Sequence, residues 1–180
     1  MNAYGRSKLI IEKILLDYSN AYDLKYVSLR YFNAAGADKD FEIGEMHNPE
    51  THLIPLVFDV AIGVSSSIEI YGTDYDTKDG SAIRDYIHVS DIANAHILSL
   101  NYLSDGGNSD TFNLGNGSGY SVKTIINYCE KIANTKIPII KVNRRPGDVP
   151  ILIGSSIKAN NTLGWSPKFN KLEDILESAW

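Results

Sequence analysis

The sequence has 180 residues, of which 43% are hydrophobic and 22% are charged, and its net charge is -5 at pH 7. These values are typical of a soluble globular unit with enough apolar residues for a core, and they argue against a generally basic, nucleic-acid-binding surface. No run approaches the ~20 apolar residues of a membrane span, so neither nucleic acid nor a membrane is an expected partner.

Cysteine and histidine placement bears on the compartment and on metal binding. Cys129 is the one cysteine of the sequence and can form no internal disulfide, which favours a reducing compartment such as the cytoplasm. His47, His52, His88 and His96 lack ligand-type spacing with one another or with Cys129. No metal site is therefore predicted.

The first predicted element is a helix over residues 4–18. Steps of four and three residues place five side chains on one stripe, which we expect to face the protein interior: Tyr4, Lys8, Ile11, Leu15 and Tyr18. An ammonium within an apolar stripe is costly unless a neighbour uses its charge. The candidate neighbour is Tyr4, one turn before Lys8.

A tyrosine beside a lysine can act as a general base. A free phenol has a pKa of ~10, so roughly one molecule per thousand is ionised at neutral pH. A cation about 5 Å away favours the phenolate by about 3 kcal/mol at an effective dielectric of ~20, and a second positive charge would complete the shift. The alternative for Tyr4 and Lys8 is a structural tyrosine beside a lysine whose stem covers apolar surface.

An α/β pattern follows this helix. Residues 25–32 form a predicted strand rich in β-branched and aromatic residues, and a loop of small residues at 33–36 follows at once. Ligands of open α/β sheets bind beyond the carboxyl ends of strands, which would place Tyr31 and Asn33 near a ligand. Alternatively, Asn33 merely begins a turn.

The middle of the chain alternates loops, helices and strands. A polar, acidic excursion at residues 37–51 precedes a predicted helix at 52–62, and a strand at 68–71 leads into a loop rich in glycine and aspartate. Ser90 is the predicted N-cap, and Asp91 the first-turn acid, of a later helix. The remaining predicted elements are strands at 84–89, 111–115 and 137–143 and helices at about 90–103, 121–133 and 156–163, followed by an apolar-striped segment at 172–180.

The glycine-rich turn after the strand at 111–115 is not a dinucleotide fingerprint. Gly115 and Gly117 fit the first two positions of G-x-G-x-x-G, but Tyr120 stands at the third, and no acidic residue ends the next strand. If the chain uses a dinucleotide, we expect the phosphate cradle to lie outside it.

A concentration of charge follows at residues 144–148. Arg144 and Arg145 are adjacent and make a good fork for a phosphate or pyrophosphate, while Asp148 can accept hydrogen bonds from sugar hydroxyls. An exposed polar turn is the alternative.

Six stretches, in order and over nearly the whole chain, resemble the second half of the UDP-glucose 4-epimerases, which are extended short-chain dehydrogenase/reductases: NAYGRSKLIIEKIL, LRYFNAAGAD, HLIPLV, IYGTDYDTKDGSAIRDYIHVSDIANAH, FNLGNGSGYSV and RRPGDVP. The resemblance implies an α/β fold in two parts. About residues 1–36 would be the C-terminal part of a Rossmann-like NAD-binding fold. About residues 37–180 would be mainly a smaller mixed α/β subdomain that binds the UDP-sugar, with strands returning to the Rossmann sheet.

The resemblance also implies a role for each matching residue. Tyr4 would be the base that removes the proton of the sugar 4-hydroxyl while hydride passes to NAD, Lys8 would hold the nicotinamide ribose, and Tyr31 would lie near the nicotinamide. Contacts to UDP-galactose or UDP-glucose would come from Asn33 at the phosphates, His52 and Leu53 beside the nucleotide, Tyr71 on the uracil, Arg84 and Arg145 at the pyrophosphate, and Asp148 at the ribose.

Several departures from the family pattern affect these expectations. His52 stands where some relatives carry asparagine, and the size of Leu152 bears on whether an N-acetylated sugar fits. The family's Gly-rich first βα turn would lie before Met1, so we expect an incomplete chain that alone holds no NAD and is inactive.

Homodimers are common in the family. The alternatives are another NAD-dependent nucleotide-sugar epimerase or dehydratase, and a non-catalytic remnant.

Overall fold

The structure, a computed structural model, describes residues 3–38 and 40–180. The helices within these ranges are α1 (Ala3–Tyr22), α2 (Leu53–Ala61), α3 (Val89–Ser104), α4 (Val122–Ala133), α5 (Ile157–Leu163) and α6 (Leu172–Ala179). The strands are β1 (Val27–Tyr31), β2 (Asn33–Ala35), β3 (Ile68–Tyr71), β4 (Ile83–His88), β5 (Asp110–Leu114), β6 (Gly119–Ser121), β7 (Ile139–Val142) and β8 (Ile151–Leu152). The predicted helices and strands are thus confirmed, with ends that differ by a few residues.

Most strand pairs are parallel, as the α/β pattern predicts. β1 pairs with β5 and β3 pairs with β7, both in parallel. β4 joins three strands: β2 lies parallel to its residues 86–88, while β6 (antiparallel) and β8 (parallel) pair with its first residues. β4 is therefore the strand around which the middle and the end of the chain are assembled.

The chain changes partner strands at Phe32. Tyr31 pairs with Leu114 of β5, whereas Asn33 pairs with Tyr86 of β4. Strands that part at their carboxyl ends leave a crevice, the usual ligand site of α/β folds. The predicted loop at residues 33–36 is wrong for its first three residues, because backbone pairing with β4 holds them in β2.

The buried side chains form two clusters. The larger lies among α2, α4, α6 and β3 and includes Val57, Ile125 and Ile175, each with no solvent exposure. The smaller surrounds Trp165 and contains Phe112 of β5 together with residues of α3 and α5. Since α2 packs into the larger cluster, its start is fixed next to β2 and β3.

The ends of two helices show how the sequence defines them. Ser121 is the N-cap of α4, and its hydroxyl accepts a hydrogen bond from Thr124 N at 3.1 Å. The predicted N-cap of α3, Ser90, is wrong: the cap is His88, whose Nδ1 accepts a hydrogen bond from Ser90 N at 3.1 Å. The first-turn acid Asp91 is present as predicted, and its carboxylate accepts hydrogen bonds from the backbone of residues 168 and 169.

The predicted inward stripe of α1 is wrong for this chain. No side chain of α1 is buried, and Tyr4, Ile11 and Tyr18 are 71%, 51% and 53% exposed. The face of α1 nearest the rest of the chain carries Leu9, Glu12 and Leu15, which are half-buried. Leu15 is thus the one member of the predicted stripe that is partly covered. A helix period defines a stripe but not which neighbour covers it, and here the described residues leave most of the stripe open.

Among the described residues, no helix combines the length and the apolar content that a bilayer crossing requires.

Candidate active site

A cleft of about 670 Å³ opens at Phe32, between the end of β1 and the start of β2. Residues from α1, β2, the start of α2, β3, β4 and the segment after β7 line it. The lining includes nine of the ten residues that the sequence predicts for the site: Tyr4, Tyr31, Asn33, His52, Leu53, Tyr71, Arg84, Arg145 and Asp148. These residues lie up to 144 positions apart in the sequence, so the fold brings them together. The tenth, Lys8, lies behind Tyr4.

Tyr4 and Lys8 remain neighbours, as the helical spacing predicts. The Lys8 ammonium lies 5.1 Å from the centroid of the Tyr4 ring. This is the distance of a cation–π contact between the ammonium and the ring. Because Tyr4 is 71% exposed and borders the cleft, its hydroxyl is accessible to a bound molecule.

Arg84 and Asp148 form an ion pair on the cleft wall. Arg84 Nη2 donates to Asp148 Oδ1 at 3.0 Å, and Arg84 Nη1 donates to the backbone oxygens of Val149 and Ile83 at 2.9 and 2.8 Å. The Arg84 side chain is only 15% exposed. These contacts hold the guanidinium in one orientation beside the cleft, which suits it to directed anion binding.

Arg145 and Tyr71 form a second cationic feature. The guanidinium carbon of Arg145 lies 3.7 Å from the centroid of the Tyr71 ring, within stacking distance. The Tyr71 hydroxyl donates to the carboxylate of Glu69, another cleft residue. An aromatic face and a cation are thereby presented together, a combination that can bind a planar, anionic ligand.

The predicted fork of two adjacent arginines is wrong. Arg144 turns away from Arg145: its Nε donates to Asp74 Oδ1 at 2.8 Å, and its guanidinium lies 4.3 Å from the Tyr75 ring centroid. Beside Asp74, the pKa of Arg144 is raised and that of Asp74 is lowered, in each case mainly by this hydrogen bond. The two cations at the cleft are therefore Arg84 and Arg145.

The glycine-rich turn is not available to a phosphate, which agrees with its rejection as a dinucleotide fingerprint. The buried carboxylate of Asp85 accepts hydrogen bonds from the backbone N–H groups of Asn116, Gly117 and Gly154 at 3.1, 3.2 and 3.1 Å. Burial raises the pKa of Asp85, and these hydrogen bonds only partly oppose it. A Cβ on Gly115 would lie 2.6 Å from the backbone oxygen of Gly154, so this turn is packed against the protein.

A second tyrosine of the cleft, Tyr86, is no candidate base. It is 5% exposed, and burial raises the pKa of its phenol far above the usual value. Tyr86 therefore stays neutral, whereas Tyr4 is open to solvent and carries a cation on its own helix.

Leu152 is the residue whose size the resemblance connects with sugar choice. It is 46% exposed, and its backbone pairs with Arg84 across β4 and β8. It is not among the residues that line the cleft.

Sequence reasoning missed several polar residues of the cleft region. Glu69 could have been found from strand alternation, because residues 69 and 71 of β3 point to the same face. Glu45 and Glu50 were overlooked because only histidine and cysteine spacing was considered; their carboxylates lie beside His47 and His52. The short spacing E-x-H-x-x-E-x-H in the printed sequence is a signal that could have revealed this cluster.

The fold and the cleft define an α/β protein with mostly parallel strand pairs and a cleft at the point where the chain changes partner strands, with a tyrosine–lysine pair and two arginines at the cleft. The sequence model of the NAD dependent epimerase/dehydratase family matches residues 1–115. The chain belongs to this family.

Curated relatives of the chain include two bacterial proteins named UDP-glucose 4-epimerase. The protein of Halalkalibacterium halodurans is 53% identical over 179 residues, which are 99% of this chain and 54% of the relative. The protein of Streptococcus mutans is 50% identical over 180 residues, which are 100% of this chain and 54% of the relative. The chain thus spans about half the length of the curated relatives it matches.

Solved structures confirm the fold class. The UDP-glucose 4-epimerase from Brucella ovis in complex with NAD superposes with a TM-score of 0.95 at 45% identity, covering 99% of this chain and 55% of that chain. The UDP-glucose 4-epimerase from Bifidobacterium longum in complex with NAD+ and UDP gives 0.92 at 39% identity, covering 99% and 53%. The fold is that of the extended short-chain dehydrogenase/reductases, as the resemblance implies.

Proposed function

We propose that this chain is the part of a UDP-glucose 4-epimerase that carries the catalytic tyrosine–lysine pair and most of the UDP-sugar site. The observation that carries the proposal is the single cleft in which Tyr4 lies with Tyr71, Arg84, Arg145 and Asp148. The names of the relatives, at 50% and 53% identity over the whole chain, support the same activity.

In this proposal, Tyr4 moves the proton of the reaction. Its phenolate oxygen accepts the proton of the sugar 4-hydroxyl as C4 is oxidised, and it returns a proton when the 4-keto sugar is reduced on the opposite face. The Lys8 ammonium, 5.1 Å from the ring centroid, stabilises the phenolate by Coulomb attraction. Exposure of Tyr4 to the cleft lets a sugar oxygen reach it.

The UDP moiety would be held by the residues farther along the cleft. Arg84 and Arg145 would bind the pyrophosphate, Asp148 a ribose hydroxyl, and Tyr71 the uracil ring. Because Arg145 covers one face of Tyr71 at 3.7 Å, the uracil would take the other face or displace the guanidinium. Asn33, fixed in β2, and the start of α2 at His52 and Leu53 would complete the nucleotide contacts.

The residues present fit one end of NAD. Tyr4 and Tyr31 line the cleft, and Lys8 lies beside the Tyr4 ring. Together they would hold the nicotinamide ribose and its ring. When bound there, NAD would supply the hydride acceptor and donor for C4. The amides of the glycine turn are occupied by Asp85, so we assign the cofactor phosphates to a part of the protein outside this chain.

The direct test supplies UDP-galactose to the protein and analyses the mixture for UDP-glucose. Where the NAD-phosphate-binding half must be added, the N-terminal half of the Halalkalibacterium halodurans relative is a suitable donor, given 53% identity across the shared part. Interconversion of the two sugars supports the proposal. A folded, NAD-loaded protein that leaves UDP-galactose unchanged but consumes another nucleotide sugar would instead indicate a related epimerase or a dehydratase.

The isolated 180-residue chain provides a second test. We expect it to retain no NAD after purification and to show no turnover, because the cofactor's phosphate site is not in it. Co-purified cofactor, detected by mass after denaturation, would refute this expectation. Failure of both the isolated chain and the chimera to act on any nucleotide sugar, with folding intact, would favour a non-catalytic remnant.

The finer assignments belong to the same proposal. About residues 1–36 would be the remnant of the NAD-binding domain and about 37–180 mainly the UDP-sugar subdomain. The protein would work in the cytoplasm, in keeping with its single buried thiol, Cys129, and the intact enzyme would form a homodimer. A net charge of -5 supports partners other than nucleic acid.

A further inference from the structure

Four potential metal ligands converge beside the cleft, in the segment before α2. Glu45, His47, Glu50 and His52 each offer one ligand atom, and these atoms all lie within 4.8 Å of one another. Residues 40–52 contain no helix or strand, so the four side chains are brought together by a loop that folds back on itself.

The separations suit a tetrahedral ion. Ligand atoms about 2.0–2.1 Å from a zinc ion at tetrahedral angles are about 3.3 Å from one another. His47 Nδ1 lies 3.0 Å from Glu45 Oε1 and 3.6 Å from Glu50 Oε2, and His52 Nδ1 lies 3.8 Å from Glu50 Oε1. His52 Nδ1 also contacts Glu45 Oε1 closely. Small side-chain movements would therefore place all four around one ion.

The charge balance of the cluster also favours a cation. The side chains of Glu45 and Glu50 are 21% and 13% exposed, whereas those of His47 and His52 are 54% and 57% exposed, so the cluster lies at the surface with its carboxylates on the inner side. Among the ion pairs of the described residues, those of both carboxylates involve only His47 and His52, and no lysine or arginine. Two carboxylates that lie together without a lysine or arginine partner are a favourable place for a divalent ion.

The chemistry of the ligands selects the class of ion. Two imidazole nitrogens with two carboxylates are ligands of zinc and similar divalent transition ions, whereas Ca²⁺ and Mg²⁺ prefer all-oxygen sites. Four protein ligands fill a tetrahedral ion and leave no open position, which is the pattern of a structural site.

We propose that Glu45, His47, Glu50 and His52 form a structural zinc-class site that ties the loop before α2 into the wall of the cleft. Glu45 and His52 line the cleft, so the ion would fix this wall without taking part in the reaction. The backbone N–H groups of Thr51 and His52 already position Glu50 by donating to its Oε1 at 2.6 and 2.8 Å.

The test titrates the 180-residue chain, stripped with a chelator, with Zn²⁺ in a calorimeter, and records visible absorption with Co²⁺. We expect one ion per chain and the intense visible bands of tetrahedral Co²⁺. His47→Ala and Glu50→Gln should each weaken Zn²⁺ binding on the order of tenfold or more. The matched controls His96→Ala and Glu42→Gln, which alter exposed residues outside the cluster, should leave binding unchanged.

Two outcomes would overturn the proposal. The first is no stoichiometric binding of Zn²⁺ to a chain whose circular dichroism shows it to be folded. The second is an equal effect of the cluster and control variants, which would place the bound ion elsewhere. If a variant fails to fold, the proposal is still tested, because the Zn²⁺ stoichiometry and the Co²⁺ spectrum are measured on the unaltered chain.

Discussion

Arg84 donates a hydrogen bond from Nη2 to Asp148 Oδ1 at 3.0 Å, and this pair connects β4 with the segment after β7 across the cleft wall. Arg84 Nη1 adds two backbone acceptors, so three directed hydrogen bonds hold one guanidinium. Such an anchored fork binds an anion with little loss of side-chain entropy. If the proposed function holds, the pair would therefore prepare the site for a pyrophosphate before any ligand arrives.

Arg84→Lys should weaken UDP binding while keeping the positive charge. A lysine cannot make the same three directed hydrogen bonds, so the affinity of the chain for UDP should fall on the order of tenfold. Calorimetric titration with UDP measures the change. The matched control is Arg30→Lys, which alters an exposed arginine of β1 that is paired with Glu12 of α1. This variant should leave UDP affinity unaltered. Equal effects of the two variants would contradict the role of Arg84.

Arg145→Ala and Arg144→Ala should separate the two adjacent arginines. Arg145 stacks on Tyr71 in the cleft, so its loss should lower UDP affinity on the order of tenfold or more. Arg144 points to Asp74 and Tyr75, and its loss should reduce UDP affinity much less. The same titration with UDP compares the two variants. If Arg144→Ala had the larger effect, the assignment of the cleft cations would be reversed.

Tyr4→Phe should remove the chemical step and spare nucleotide binding. Loss of a general base typically lowers the rate by about 10²- to 10⁴-fold, whereas UDP affinity should hardly change because the hydroxyl acts on the sugar proton. Turnover of UDP-galactose is measured in a protein that unites this chain with an NAD-phosphate-binding half. Tyr22→Phe, at a similarly exposed tyrosine of α1, is the control and should retain activity. Unchanged turnover in Tyr4→Phe would exclude Tyr4 as the base.

Asp85→Ala should destabilise the fold. The carboxylate satisfies three backbone N–H groups, and each buried donor left without a partner costs about 1–3 kcal/mol. The free energy of unfolding, measured with urea, should therefore fall by roughly 3 kcal/mol or more. Asp76→Ala changes an exposed aspartate and should have little effect. Comparable losses in the two variants would show that Asp85 does not organise the turn.

Acid should reduce stability partly through His88. Burial lowers the pKa of His88 below its usual 6.5, although Asp91, Asp174 and Asp38 oppose the shift. Below about pH 6.5, His88 is protonated in the unfolded chain but stays largely neutral in the folded chain. The free energy of unfolding therefore falls as the pH drops.

The measurement for His88 compares the free energy of unfolding at about pH 7.5 and about pH 5.5. His88→Asn keeps an oxygen that can accept the Ser90 N–H but does not titrate, so its loss of stability on acidification should be smaller than that of the unaltered chain. Comparing differences between pH values removes the constant cost of losing the His88–Phe169 stack. An unchanged slope in His88→Asn would contradict the prediction.

Local patterns in the sequence predicted most elements and the proximity of Tyr4 and Lys8. The 3.6-residue period defined α1 and, with it, the contact between Tyr4 and Lys8, since residues four apart in a helix are neighbours. Alternation and β-branched composition predicted β3 to the residue. The roles of Arg84, Arg145 and Asp148 came from resemblance, because no local rule relates positions more than 60 residues apart.

The tertiary structure alone decided which surfaces of these elements contact one another. The period of α1 did not reveal that its apolar stripe stays exposed in this chain, and the small residues after β1 did not reveal that they pair with β4. Adjacency in sequence made Arg144 and Arg145 look like one fork, yet Arg144 is held by Asp74 and Arg84 takes its place. The physical reason is that the sequence specifies local conformation through short-range sterics and hydrogen bonds. Long-range contacts depend on which surfaces the complete set of elements buries together.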